Sequence, residues 1–107
     1  MRSGWALWAI AVAMVLVSCK KDGVPGSCVR ARDNTCAEYG AAEAAAGARM
    51  CLPGIYRPGE KCAPEGRLGT CAREGGKIAE YMYSGPPNGF TIDAAKAACE
   101  AAGGTFR

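Results

Sequence analysis

The chain has 107 residues, seven cysteines and no histidine, with 13 basic against 10 acidic side chains. That length holds one domain, and a net charge of +3 with both signs interspersed offers no basic patch of the kind nucleic acid requires, so no nucleic-acid partner is expected. Without histidine the commonest general base is missing, and with it the Ser/His and Cys/His nucleophile systems.

In chain order, Met1 and Arg2 lead into an unbroken apolar run, Trp5 to Val17. It is shorter than the about 20 residues a bilayer core demands and has the length of a signal-peptide core. A retained anchor helix or a buried helix is the competing reading, but Lys20, Lys21 and Asp22 end the run abruptly. A buried surface helix would also show an apolar stripe rather than apolar residues all round. Residues 1–18 are therefore read as a removed signal peptide. Leu16-Val17-Ser18-Cys19 resembles the lipobox of bacterial lipoprotein precursors, cut by the lipoprotein signal peptidase. The resemblance implies that the Cys19 thiol carries a diacylglycerol and that cleavage frees its amine, which in that family is often acylated as well, with palmitate among the chains expected. It implies a lipid-anchored protein on the non-cytoplasmic side of the bacterial envelope, the outer membrane favoured over the inner. Membrane lipid would then be the first partner, each buried CH₂ contributing about 0.8 kcal/mol, with more than one chain needed for stable anchoring.

Residues 19–27 read as the lipidated cysteine and a flexible tether, and residues 28–107 as the domain. Lys20 to Ser27 is polar, carries Gly and Pro and has no periodicity. Fully extended, it would reach about 26–29 Å and hold the domain clear of the headgroups. Setting Cys19 aside leaves Cys28, Cys36, Cys51, Cys62, Cys71 and Cys99. An even count in a small exported domain reads as three disulfides. The cysteines are too widely spaced for the close pairs of zinc sites, so no metal and no cofactor are expected. Large apolar side chains are few, and disulfides at about 2–4 kcal/mol each supply what packing cannot.

The first helix is expected from Thr35 to Cys51, opened by a Thr35-x-x-Glu38 capping box, with Ala44, Ala48 and Cys51 on one face and a weak point at Gly40. Leu52 to Gly69 is dense in Pro and Gly and reads as loop. Thr70–Ala72 and Lys77–Tyr83 read as a hairpin around Glu74-Gly75-Gly76, with Tyr81 and Tyr83 on one face and Met82 on the other. Ser84 to Gly89 is a turn-rich loop. The second helix is capped by Thr91 or Asp93. Ile92, Ala95, Cys99 and Ala102 form its inward stripe, Gly103-Gly104 ends it, and Thr105-Phe106 can form a short strand. The fold class is small disulfide-rich α+β: two short alanine-rich helices, a small antiparallel sheet or hairpin and three disulfides. Cys99 points inward and Cys71 lies in a strand the helix should cover, so the favoured pairing is Cys71 with Cys99, and Cys62 with Cys99 is the alternative.

Two loosely similar units are visible. Cys36-Ala-Glu-Tyr39, an alanine-rich stretch, Cys51 and Gly54-Ile-Tyr56 match Ala79-Glu-Tyr81, an alanine-rich stretch, Cys99 and Gly103-Gly-Thr-Phe106. Gly-Thr-Cys71, the Tyr-x-Tyr strand, the alanine-rich helix with its cysteine and the final Gly-Gly-Thr-Phe resemble small cysteine-rich exported lipoproteins of high-GC bacteria. That likeness implies architecture and carries no activity.

Two constellations remain. Glu38 and Glu80 occupy matching places in the two units, and paired carboxylates can perform acid–base work, though a cap or a solvated charge is the commoner role. Tyr81 and Tyr83 either fill the core, beneath the second helix, or form an aromatic platform for a glycan or protein. The expected function is a noncatalytic envelope lipoprotein that binds a protein or cell-wall partner. A disulfide-rich effector or inhibitor is the alternative and needs a protruding loop, Leu52 to Arg67 or Ser84 to Gly89. A carboxylate-based enzyme comes third.

Overall fold

The computed structural model describes residues 23–87 and 89–107; the segment read as a signal peptide, residues 1–18, and Cys19 lie outside them. The chain forms β1 (Gly26–Arg30), β2 (Thr35–Tyr39), α1 (Ala41–Met50), β3 (Ile55–Pro58), β4 (Arg67–Arg73), β5 (Ile78–Tyr83), α2 (Ile92–Ala101) and β6 (Thr105–Phe106). The six strands make one antiparallel sheet in the order β3-β1-β2-β5-β4-β6. Among the described residues two helices, six strands and three disulfides make a small disulfide-rich α+β fold, as the composition predicts.

Residues directly opposite each other in a ladder share a face. One row across the sheet therefore reads Tyr56, Cys28, Ala37, Glu80, Cys71, Phe106. Both helices lie on that face. α1 packs by Gly47 on the Tyr39 ring, so closely that a Cβ there would come within 2.7 Å of a ring carbon. Glycine inside a helix costs up to about 1 kcal/mol relative to alanine, and at Gly47 the close contact with the Tyr39 ring requires it. α2 buries Ala95 and Cys99 against Cys71 and Met82. Its cap is Thr91, whose hydroxyl accepts from the Ala94 N–H at 3.1 Å, rather than Asp93. The opposite face carries Cys36, Tyr81, Val29 and Ala79, covered by the chain around Cys62.

The staples are Cys28–Cys51, Cys36–Cys62 and Cys71–Cys99, with Cα separations of 5.7, 5.9 and 5.6 Å. All six cysteines are buried. The favoured pairing of Cys71 with Cys99 is the one formed; the Cys62 alternative is not.

Three expectations are corrected. The tether does not reach residue 27: Gly23 donates its N–H to the Ala41 carbonyl at 3.0 Å, β1 begins at Gly26 and Ser27 is fully buried. The Gly/Pro content that suggested a linker is overridden because β1 has a partner strand on each side. The first helix does not begin at Thr35. Thr35–Tyr39 is a strand between β1 and β5, so the capping box is absent, and Gly40 is the N-cap without a side-chain bond. The Leu52-to-Gly69 segment is not all loop, since it contains edge strand β3 and the first residues of β4.

The two-unit similarity is a structural duplication, with a different register from the one the Glu-Tyr segments suggest. Each unit runs strand, hairpin, strand, helix, edge strand. Gly26-Ser-Cys-Val-Arg30 matches Gly69-Thr-Cys-Ala-Arg73, 43 positions on. Cys28–Cys51 then corresponds to Cys71–Cys99. Gly54 and Gly104 also correspond: the Gly54 N–H donates to the Cys51 carbonyl at 2.6 Å and the Gly104 N–H to the Cys99 carbonyl at 2.9 Å. A Cβ on Gly54 would meet the Val29 carbonyl oxygen at 2.7 Å, and one on Gly104 the Ala72 oxygen at 3.0 Å. The central pairing obeys the same two-fold: Ala37 opposes Glu80, Cys36 opposes Tyr81 and Glu38 opposes Ala79.

Candidate functional site

The segment after β3 crosses the helix-free face of the sheet and is held there by a knot of polar contacts. The Cys62 N–H donates to Glu38 Oε2 at 2.8 Å. Arg67 donates from Nη2 to the Cys62 carbonyl at 2.8 Å and from Nε to the Ala63 carbonyl at 3.0 Å. Its guanidinium lies 3.7 Å from the centre of the Tyr81 ring and 3.7 Å from Glu38 Oε2. A cation over an aromatic face is stabilising, by about 0.5–2 kcal/mol according to exposure. Tyr81 is thereby a core residue, 8% exposed. Tyr83, on the same face, donates its hydroxyl to the Ala63 carbonyl at 2.8 Å. The expectation that both tyrosines pack beneath the second helix is corrected: Met82 lies under α2, and the tyrosines lie under the Cys62 segment. Odd and even residues of a strand face opposite ways, and the helix is on the Met82 side.

Tyr83 is only partly buried and borders the larger concavity, a groove of about 580 Å³ at the hairpin end of the sheet. Its walls include Val29, Cys36, Tyr83, Pro86 and Pro87, with Arg57 and Lys61 also lining it. Asn34 fixes one wall, donating from Nδ2 to the Tyr83 carbonyl at 2.8 Å and to the Gly85 carbonyl at 2.6 Å. It does so from φ 59°, a left-handed conformation that asparagine tolerates better than most residues. An apolar floor with aromatic and proline walls and a few polar groups suits a peptide or sugar ring.

A second concavity, about 340 Å³, lies on the helical face where the two units meet. Thr35, Ala37 and Glu80 line it, with Arg30 and Arg73, the equivalent arginines of the two units. Arg73 Nε stands 3.4 Å from Glu80 Oε1, yet it is buried and makes no aligned hydrogen bond. Arg30 donates to the Met50 carbonyl at the end of α1, at 2.6 Å, and Met50 lines the same concavity.

The structure does not bring the proposed carboxylate pair together. Glu38 opposes Ala79 and Glu80 opposes Ala37, so the two glutamates occupy opposite faces of the sheet. The Glu-Tyr match that paired them is one residue out of register, and a one-residue slip exchanges faces. The groove itself was missed, because Val29 and Cys36 belong to strands not expected there. The repeated Gly-[Ser/Thr]-Cys-x-Arg pentapeptide is the signal that would have revealed β1. Among the described residues, no cluster of three metal-ligating side chains forms, and no helix is long and apolar enough to cross a membrane.

Two tyrosines carry perturbed hydroxyls. Burial is the main cause at Tyr83, raising its pKa; the neighbouring Arg67 partly offsets this while Glu38 and Tyr81 add to it. At Tyr56, burial and then the proximity of Tyr39 act in the same upward direction. Folding thus favours both neutral hydroxyls. Their contribution is complete below the unfolded tyrosine pKa of about 10 and is lost as pH rises through the higher folded values. Titration of tyrosinate absorbance should therefore show late-ionising steps that Tyr83→Phe and Tyr56→Phe each diminish. An unchanged upper end of the curve in both variants would refute this.

In class, then, the described residues form a duplicated, disulfide-stapled α+β module that carries a concavity on each face of its sheet. No protein-family model, curated protein or solved structure matches the chain.

Proposed function

We propose that this is a lipid-anchored protein of the bacterial envelope, held by Cys19 on the non-cytoplasmic side, favouring the outer membrane. It acts without catalysis, its stapled domain binding a protein or cell-wall partner in the groove beside Tyr83. The observation that carries the reading is the cysteine inventory: three disulfides use six of the seven cysteines, and the seventh is the lipobox residue. Stable disulfides accord with an oxidising compartment, which is where a lipobox would deliver the chain. The groove supports the second half of the proposal, because Tyr83 offers both a ring face and a fixed polar edge.

Intact mass of the detergent-extracted protein tests the anchor. It should exceed the mass of residues 19–107 with three disulfides by a diacylglycerol and an acyl group, and Cys19→Ala should accumulate uncleaved. A Cys19→Ala chain that is processed and membrane-bound like the wild type refutes it. Affinity capture from native envelopes tests the groove: partners retained by wild type should be lost by Tyr83→Ala.

A further inference from the structure

We propose that the domain lies directly against the bilayer, through the outer flank of its first unit, around Val24, Met50, Leu52 and Ile55. This rests on the lipid anchor at Cys19. The free chain between the anchor and the domain is short. Gly23 is part of the folded domain: it bonds to Ala41 and sits so close to α1 that a Cβ would come within 2.7 Å of the Ala45 nitrogen. Only Lys20, Lys21 and Asp22 remain between it and the lipidated residue. Four residue steps span at most about 13–14 Å. The headgroup layer of one leaflet takes up about 5–8 Å of that. The domain surface beside Gly23 is therefore held within about 5–9 Å of the headgroup layer.

From Gly23 the flank continues along α1 and β3, and its apolar side chains suit the position. Among the described residues the exposed large apolar side chains are Val24, Met50, Leu52, Ile55 and Ile92. The first four belong to the unit that carries the anchor and are 61–76% exposed. Val24 follows the attachment point, Met50 and Leu52 flank the end of α1, and Ile55 opens the edge strand β3. Such side chains favour the boundary between headgroups and acyl chains. Arg49, exposed in the last turn of α1, and Lys20 and Lys21 add cations that anionic headgroups attract. The second unit, which bears Ile92, is on the far side of the sheet order.

Tryptophan reports the contact cleanly, because both native tryptophans, Trp5 and Trp8, fall in the signal segment. Val24→Trp, Leu52→Trp and Ile92→Trp each replace an exposed side chain. The lipidated full-length variants are reconstituted in phosphatidylethanolamine/phosphatidylglycerol vesicles that contain a nitroxide-labelled lipid. Quenching at positions 24 and 52 should exceed that at 92 several-fold, and a long Gly/Ser insertion after Asp22 should bring it down toward the level at 92. Equal quenching at all three positions overturns the proposal and leaves the flank to a protein partner. Intact mass, measured first, separates the two ideas: an unlipidated chain defeats the anchor, whereas a lipidated chain with equal quenching defeats only the apposition.

Discussion

Replacing Cys71 and Cys99 together by alanine should lower the stability of the domain by about 3–4 kcal/mol, the chain-entropy value for a loop of this size. The bridge spans 28 residues and closes the whole β5–α2 excursion onto β4. Its two sulfurs also fill the centre of the cluster formed with Met82 and Ala95, so their loss leaves a partly filled space as well as a longer free loop. For a domain under 100 residues the melting temperature should fall by roughly 15–30 °C. Because Cys28–Cys51 spans 23 residues in the equivalent place, Cys28→Ala/Cys51→Ala should cost about as much, within 1 kcal/mol by the same relation. Calorimetry on the oxidised proteins decides the matter. A loss under about 1 kcal/mol for the Cys71/Cys99 pair would mean that the α2 unit is held by packing alone.

The second large effect is expected at Tyr81. Tyr81→Ala removes a buried ring that fills the space between Cys36, Cys62 and Arg67. Truncating a buried aromatic in this way costs about 3–5 kcal/mol. Tyr81→Phe should be close to neutral, since the hydroxyl meets Glu38 Oε1 only at 3.5 Å, the outer limit of a hydrogen bond. Denaturant unfolding of the two variants separates packing from polarity. If phenylalanine costs as much as alanine, the knot is held by the hydroxyl and the packing account fails.

These expectations lean on the second half of the chain, which was also the half the sequence made legible. Around α2 the local signals agree: a Thr cap, an inward stripe ending in Cys99, a glycine pair, and before them a hairpin with Gly-Gly at its turn. Agreement at every level lets local reading succeed. The first half carries contradictory signals. Thr35-x-x-Glu38 ahead of an alanine run has the form of a helix start, but the same residues alternate as a strand. Pairing with β1 on one side and β5 on the other decides the contest. β1 and β3 show no strand signal strong enough to outweigh their Gly and Pro neighbours; they exist because their partners do, a tertiary effect that window-by-window reading does not capture. The site was legible only in part. Tyr81 and Tyr83 were singled out correctly as sharing a face, but which face the helix covers depends on a register that period-2 patterning leaves open.

The two-fold register at the centre of the sheet has a consequence of its own. Ala37 facing Glu80, with the pairs on either side exchanged by the same axis, is an isologous seam, the arrangement by which identical subunits join. Here it is internal, because residues 59–66 link the two halves covalently and Cys36–Cys62 fastens that link to the sheet. Free subunits need a broad apolar interface to find and hold each other at low concentration. Halves of one polypeptide meet at an effective concentration of about the millimolar range, so the seam is released from that demand. A small alanine and a charged glutamate can therefore occupy its midpoint on the helical face, with an arginine pair around them, where a separable dimer would bury leucines.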